Sequence, residues 1–188
     1  MYKKINYILG AFSFVLPFIL YLLTMAPTTS FWDCGEFIAT SFILGVPHPP
    51  GSPLFLLLGN VFSQIPISSD IGARVNIISP LASAFSVMFL YFIIVYLIEE
   101  FNGKSENISK IIINNMSAFI AAMTFAVTDS HWFNAVESEV YALSTFFTAI
   151  VVWLILKWAK NTNANWYSRY LLLIAYMLGL AIGIHILN

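Results

Sequence analysis

The chain has 188 residues, of which 60% are hydrophobic, 16% are aromatic and only 9% are charged. A soluble domain carries about 25% charged residues, so this composition excludes a soluble globular protein and indicates an integral membrane protein. Eight Lys and Arg residues against nine Asp and Glu residues give a net charge of −1, which predicts no nucleic-acid partner.

The first predicted element is a transmembrane helix at the N-terminus. The sequence MYKK precedes an apolar stretch from residue 5 to residue 25. This stretch has about the ~20 residues that a spanning helix needs, and it is longer than a typical signal-peptide core. Pro27 also follows Ala26, the one small residue suited to cleavage, so we expect the helix to be retained.

Four further apolar stretches are long enough to cross a bilayer. They lie at about 75–98, 111–128, 139–158 and 168–188. The stretch PLFLLLGNVFSQIP, at 53–66, is shorter and suits an interfacial or re-entrant helix. The predicted fold is therefore all-α, a polytopic membrane helix bundle of about five transmembrane helices. One or two external interfacial helices, at 35–45 and 53–65, accompany them.

The basic residues predict the orientation of the bundle. If 53–66 does not cross, Arg74 is the one external residue among the eight Lys and Arg residues, as the positive-inside rule requires. If 53–66 crosses, most basic residues move outside, so we reject that topology. The N-terminus is then cytoplasmic, and the external loops are 27–74 and 129–139. The predicted cytoplasmic basic residues are Lys3, Lys4, Lys104, Lys110, Lys157, Lys160 and Arg169.

The first external loop contains the sequence FWDCGEF, in which Asp33 and Glu36 have i, i+3 spacing. On a helix this spacing puts both carboxylates on one face, where one could act as a base and the other could orient groups or bind a divalent cation. The same pattern is typical of a capping box. The two interpretations are compatible, and both stay open. Cys34 is the single cysteine, which excludes an internal disulfide and a cysteine-clustered zinc site.

Further candidate residues lie in both external loops. His48, among prolines, is either part of a helix corner facing headgroups or an imidazole held rigidly near the acids. Arg74 either snorkels to the interface or binds a phosphate. His131, Glu137 and Glu139 lie in the second loop, TDSHWFNAVESEVYAL, whose aromatic residues are otherwise typical of a membrane interface.

The order of these motifs resembles a known family. One helix is followed by APT-x-SFWDCGEF, then G-x-x-HPPG-x-PLF, then RVN, and later by EVYAL. This arrangement resembles the bacterial branch of a membrane family related to the animal transmembrane protein O-mannosyltransferase, within the glycosyltransferases of the GT-C fold. Animal members carry Gly and Ser where Trp32 and Cys34 stand. Such enzymes have more helices, so we expect residues 1–188 to be a single transmembrane domain, the N-terminal part of a longer module.

The resemblance implies an inverting membrane glycosyltransferase of the bacterial inner membrane, with its active face outside. The donor would be a polyprenyl-phosphate sugar, with mannose as the implied sugar, and the acceptor a Ser or Thr hydroxyl of an exported polypeptide. Asp33 would be the base, Glu36 the second catalytic acid, and His48 and Arg74 the groups that stabilise the departing phosphate. The implied substrate-binding residues are His48, Arg74, His131, Glu137 and Glu139.

Two other classes of function compete with this hypothesis. A short helix bounded by prolines and polar residues near a membrane also describes a transporter. Transporter sites lie near the bilayer midplane, whereas these acids lie in loops and only His185 is well inside a predicted span. A non-catalytic scaffold would be favoured if the acids proved dispersed. An enzyme site predicts instead that Glu137 or Glu139 lies within about 10–12 Å of Asp33.

Overall fold

The computed structural model describes residues 2–103, 107–160 and 166–185. Lys104 of the predicted cytoplasmic loops and residues 186–188 of the fifth predicted span lie outside the described residues. Throughout the described ranges every regular element is a helix, which confirms the all-α prediction. The elements are α1 (Tyr2–Thr24), α2 (Cys34–Ile43), α3 (Pro53–Gln64), α4 (Ile71–Asn76), α5 (Ile78–Asn102), α6 (Ile108–Ala126), α7 (Asp129–Ala135), α8 (Val140–Lys160) and α9 (Tyr167–Ile182).

Four helical stretches in the described part of the chain are long and apolar enough to cross a membrane. They are Tyr2–Thr24, Ile71–Asn102, Ile108–Ala126 and Val140–Lys160. The fifth predicted span corresponds to α9, which has 16 residues and therefore a length of about 24 Å at 1.5 Å per residue. The helices α2 and α3 have 10 and 12 residues, so both are too short to span, as their sequences predict.

Helix α5 lies at the centre of the bundle and contacts α1, α6 and α8. The face of α6 that packs here carries Ala118, Ala122 and Ala126, all fully buried. Their spacing of four residues places the small side chains on one side of the helix, which allows a close approach. The hydroxyl of Tyr21 donates a hydrogen bond to the Ala126 carbonyl at 2.7 Å and so fixes α1 against the end of α6.

The short helices α2 and α3 pack side by side against α8 and α9. Phe37 and Phe55 contact each other at a ring centroid distance of 5.4 Å and belong to an apolar cluster with Phe147. Gly59 allows the close approach of α3 to α2, because a Cβ atom there would lie 2.7 Å from the Cβ of Ser41. The two short helices therefore pack closely together against one part of the helix bundle.

A buried amide joins the two loops that the sequence predicts to be external, 27–74 and 129–139, hereafter the first and second loops. The Asn76 side chain donates hydrogen bonds to the carbonyls of Ala26 at 2.8 Å and Thr28 at 2.9 Å. The Ser138 hydroxyl donates to the Asn76 amide oxygen. The backbone N–H of Ala26 also donates to the Val136 carbonyl at 2.8 Å. The two loops are thus held together at one end of the bundle.

The end of α9 reaches the same end of the bundle. The backbone N–H of Leu54, in the first turn of α3, donates a hydrogen bond to the Gly183 carbonyl at 2.8 Å. This contact brings His185 to the first loop, although His185 follows Leu54 by 131 residues along the chain.

Candidate functional site

Three buried side chains from the two loops meet at one point. Cys34, at the start of α2, is 0% exposed, and Glu137 and Glu139 are 3% and 8% exposed. The Cys34 thiol donates a hydrogen bond to Glu139 Oε1 at 3.7 Å. One atom of each side chain lies within 4.8 Å of the others. The loops therefore converge next to Asp33, as the enzyme hypothesis requires and the scaffold hypothesis does not.

This cluster, Cys34, Glu137 and Glu139, has an unusual charge balance. Burial, together with the nearby carboxylates of Glu137 and Asp33, raises the pKa of Glu139 to about 7. Burial and the same two glutamates also raise the pKa of the Cys34 thiol. Within the described ranges no basic side chain forms an ion pair with either glutamate. A carboxyl group that is ionised and neutral in comparable amounts near pH 7 can either accept or donate a proton.

Asp33 lies at the edge of this cluster and is exposed to solvent. It occupies the N-cap position of α2, but its side chain makes no capping hydrogen bond. Trp32, just before it, has a φ angle of 60°, a left-handed conformation that turns the chain sharply. The capping-box interpretation is therefore wrong for Asp33, whose carboxylate is not committed to the helix.

Glu36 makes a different contact from the one a capping box requires. Its carboxylate accepts hydrogen bonds from the His48 backbone N–H at 2.8 Å and from His48 Nδ1 at 2.7 Å. The hydrogen bond to His48 lowers the pKa of Glu36, and the same bond raises the pKa of His48. The imidazole also lies against the ring of Phe37, at a centroid distance of 5.9 Å. These contacts hold the His48 ring between Glu36 and Phe37.

Two neighbouring cavities open beside Asp33. The larger has a volume of about 260 Å³ and lies between the first and second loops. The smaller has a volume of about 50 Å³ and lies between α2, the proline-rich segment and the end of α9. Asp33, Glu139 and Tyr141 line both cavities, while His48 and His185 line the smaller one. The two cavities therefore form a cleft in which the Asp33 carboxylate lies between them.

The sequence prediction missed Tyr141 and His185 as site residues. Their rings contact each other at a centroid distance of 5.7 Å. Tyr141 belongs to the EVYAL motif and directly follows the buried acids, which is a signal that could have identified it. His185 is one of only three histidines in the chain, but its place at the site depends on how α9 packs.

Two predicted substrate-binding residues lie outside both cavities. Arg74 donates hydrogen bonds from Nε to the Ser68 carbonyl at 2.7 Å and from Nη1 to the Ser63 carbonyl at 2.9 Å, so it holds the turn after α3. His131 is buried against the ring of Phe125 at 4.3 Å, and burial lowers its pKa to about 4. The roles of Arg74 and His131 in substrate binding stay predictions.

Among the described residues, two groups of side chains have the geometry to hold a cation. Each group offers three ligand atoms that lie within 4.8 Å of one another. The exposed group combines two carboxylates with an imidazole, and the buried group combines two carboxylates with a thiol. Oxygen and nitrogen ligands suit Mg²⁺, Mn²⁺ and Zn²⁺, and the thiol favours Zn²⁺. The groups are Asp33, Glu36 and His48, and Cys34, Glu137 and Glu139.

Comparison with known proteins identifies the family. The chain matches the model of the N-terminal domain of protein O-mannosyl-transferase TMEM260 over residues 33–188. The protein O-mannosyl-transferase tmem260 of Dictyostelium discoideum is 28% identical over 153 residues, which cover 80% of this chain and 16% of that protein. The protein O-mannosyl-transferase TMEM260 of Mus musculus is 25% identical over 162 residues, which cover 86% of this chain and 21% of that protein.

This chain therefore spans about a fifth of the length of these two relatives. No solved structure matches it. The matched region begins at Asp33 and contains every residue of both cavities except Trp32. Because the match covers most of the sequence, this chain belongs to the family of the TMEM260 protein O-mannosyl-transferase N-terminal domain.

Proposed function

We propose that this chain is the N-terminal membrane part of a GT-C type protein O-mannosyltransferase. It transfers mannose from a polyprenyl-phosphate donor to a Ser or Thr hydroxyl of an exported protein, with inversion at the anomeric carbon. The observation that carries the proposal is the meeting of Asp33, Glu139 and His48 at two adjoining cavities. Two relatives named as protein O-mannosyl-transferases support the same chemistry.

The position of the cavities suits a lipid-linked donor. They lie where α1 ends and α8 begins, that is, at one end of helices of membrane-spanning length. A polyprenyl chain in the bilayer would then present its phosphate at the level of the cavities. Trp32 and Tyr141 at the larger cavity add aromatic faces, which are common at a membrane interface and can also contact a sugar ring.

Asp33 is the base in this mechanism. Its carboxylate accepts the proton of the acceptor hydroxyl while the hydroxyl oxygen forms a bond to the anomeric carbon. The bond from that carbon to the phosphate oxygen breaks, and its electron pair leaves with the lipid phosphate. Attack from the face opposite the phosphate inverts the configuration. Asp33 suits this role because it is exposed, lines both cavities and caps no helix.

The departing phosphate requires a positive charge or hydrogen-bond donors. His48 lines the smaller cavity, and Glu36 holds its ring and raises its pKa. Glu139, whose pKa is raised to about 7, can donate a hydrogen bond when it is protonated. Glu36 therefore acts as a positioning residue for His48 rather than as a second base.

We also propose where the protein lies in the cell and what it binds. The N-terminus lies in the cytoplasm, and the cavities face the outside of a bacterial inner membrane. The partners are the lipid donor, the acceptor polypeptide and the bilayer. A divalent cation bound by Cys34, Glu137 and Glu139 would compensate the buried negative charge, and protonation of Glu139 is the alternative.

The acids favour an enzyme over a transporter. The clustered carboxylates lie at helix ends and in loops, and none is in the middle of a spanning stretch of the described chain. A transporter would place such groups near the midplane, at the break of a discontinuous helix.

The substitution Asp33→Asn tests this proposal. The assay follows transfer of labelled mannose from a polyprenyl-phosphate donor to a Ser/Thr peptide by the full chain in membranes. We expect transfer to fall about 100-fold or more, because a positioned base is lost. The melting temperature should stay near that of the wild type, because the Asp33 side chain makes no capping bond.

Asp129→Asn is the matched control. Asp129 is an exposed carboxylate at the start of α7 in the second loop, and it lines neither cavity. Its substitution should leave transfer unchanged. Full activity of Asp33→Asn would exclude Asp33 as the base, and equal losses in both variants would show a general charge effect.

A further inference from the structure

A third cavity lies at the end of the bundle opposite Asp33. It has a volume of about 300 Å³ and lies between α1, α5 and α8. The residues that line it come from the beginning of α1 and from the last turns of α5 and α8. The cavity is larger than both cavities beside Asp33, and the proposed transfer reaction does not use it.

The lining of this cavity is positively charged. It contains three ammonium groups and one carboxylate, so its formal charge is 3 − 1 = +2. Glu99 supplies the carboxylate and lies beside Tyr2. The ammonium of Lys160 lies 4.7 Å from the ring centroid of Tyr96, and that of Lys157 lies 5.3 Å from the ring centroid of Trp153. The third ammonium is that of Lys3.

An amide in the same cavity has an unsatisfied polar atom. The side-chain oxygen of Asn6 is buried and has no hydrogen-bond partner in the part of the chain that the structure describes. Turning the amide by 180° preserves its shape and presents the NH₂ group at that position instead. An anion in the cavity would then accept a hydrogen bond from Asn6 as well as from the lysines.

The cavity also has the features of a membrane interface. Tyr7, Tyr96 and Trp153 are aromatic residues with a polar atom, a type enriched at headgroup level. Phe92, Val95 and Leu156 line the rest of it. The lysines lie at the ends of stretches long enough to cross a membrane. A basic pocket between helix ends, with apolar walls, favours a lipid phosphate over a free phosphate ion.

We propose that this cavity binds the phosphate headgroup of an anionic membrane phospholipid. The lysines and Asn6 hold the phosphate oxygens, and the apolar walls contact the beginning of the acyl chains. The inference does not depend on the transfer reaction, because the site lies at the other end of the helices.

Phosphatidylglycerol in phosphatidylcholine nanodiscs is the probe for this site. Native mass spectrometry of the full chain released from the nanodiscs counts the lipids that stay bound. We expect one retained phosphatidylglycerol per chain, which also raises the melting temperature. Lys3→Gln and Lys160→Gln should each weaken its binding about five-fold, as expected for one ammonium at a lipid phosphate.

Lys4→Gln is the matched control, because Lys4 neighbours Lys3 on α1, is exposed and does not line the cavity. It should leave phosphatidylglycerol binding unchanged. An equal loss in Lys3→Gln and Lys4→Gln would overturn the proposal in favour of general surface attraction. Competition by inorganic phosphate as effective as that by the lipid would overturn the lipid assignment. A folded protein that retains no phosphatidylglycerol would overturn the site itself, and circular dichroism confirms folding of each variant.

Discussion

The substitution Asn76→Ala should separate the two loops that form the site. The wild-type side chain is buried and makes three hydrogen bonds, two to the carbonyls of Ala26 and Thr28 and one with the Ser138 hydroxyl. Each such bond contributes about 1 kcal/mol net, and buried partners left unpaired increase the loss. We therefore expect a loss of about 3 kcal/mol in the free energy of unfolding. That is a large share of the ~5–15 kcal/mol that stabilises a typical domain.

Denaturant titration in detergent micelles measures this loss, and the mannose-transfer assay measures its effect on the site. Ser138→Ala alone should cost about 1 kcal/mol. The double variant should cost less than the sum of the two single losses, because Asn76 and Ser138 share one hydrogen bond. Transfer by Asn76→Ala should fall even at a temperature where the variant is folded, since the loop carrying Glu139 is released from the loop carrying Asp33.

Asn60→Ala is the matched control for this prediction. The Asn60 amide also donates two hydrogen bonds to carbonyls, those of Ser41 at 3.0 Å and Phe42 at 3.1 Å. Both bonds lie within the first loop, so the variant should lose stability but keep the two loops together and retain transfer. Equal losses of transfer in folded Asn76→Ala and Asn60→Ala would refute the role of Asn76. The role of Asn76 would also be refuted if Asn76→Ala lowered the free energy of unfolding by less than about 1 kcal/mol and its effect added to that of Ser138→Ala in the double variant.

Four further predictions concern contacts of the first loop. Glu36→Gln should reduce transfer about 10-fold, which is less than the loss expected for Asp33→Asn. It should also lower the pKa of His48, as measured by NMR titration, and an unchanged pKa would contradict the positioning role of Glu36. In the wild-type pair the pKa of His48 is raised and the pKa of Glu36 is lowered. The pair should therefore lose its stabilising effect when pH rises through the folded-state pKa of His48, and also when pH falls through the folded-state pKa of Glu36. Gly59→Ala should lower the free energy of unfolding by about 1–3 kcal/mol, because the added methyl group overlaps α2. Gly179→Ala is the control: its methyl group would meet no atom within 4 Å, so the melting temperature should not change. Asp70→Ala should lower the melting temperature because Asp70 caps α4. An equally large decrease in Asp70→Asn would point to another cause.

Composition and hydropathy were sufficient to predict the helical bundle. A spanning helix requires a long run of apolar residues whatever it packs against, so α1, α5, α6 and α8 can be recognised without tertiary information. The short helices α2 and α3 follow from their length and from Pro53 at the first position of α3. Charges in loops of an otherwise apolar chain also indicated Asp33, Glu137 and Glu139, because an acid near lipid is costly without a function.

The partners of these charged groups depended on the tertiary structure. The spacing of Asp33 and Glu36 is the same for a capping box and for a functional site. The structure distinguishes the two, because Glu36 binds His48, which lies 12 positions further along the chain. Arg74 likewise binds carbonyls that the turn after α3 brings to it. Sequence patterns record which residues share a helix face, but a hydrogen bond between distant segments depends on how their backbones are placed. For this reason the buried state of Glu139 and the arrival of His185 at the site appeared only in the folded chain.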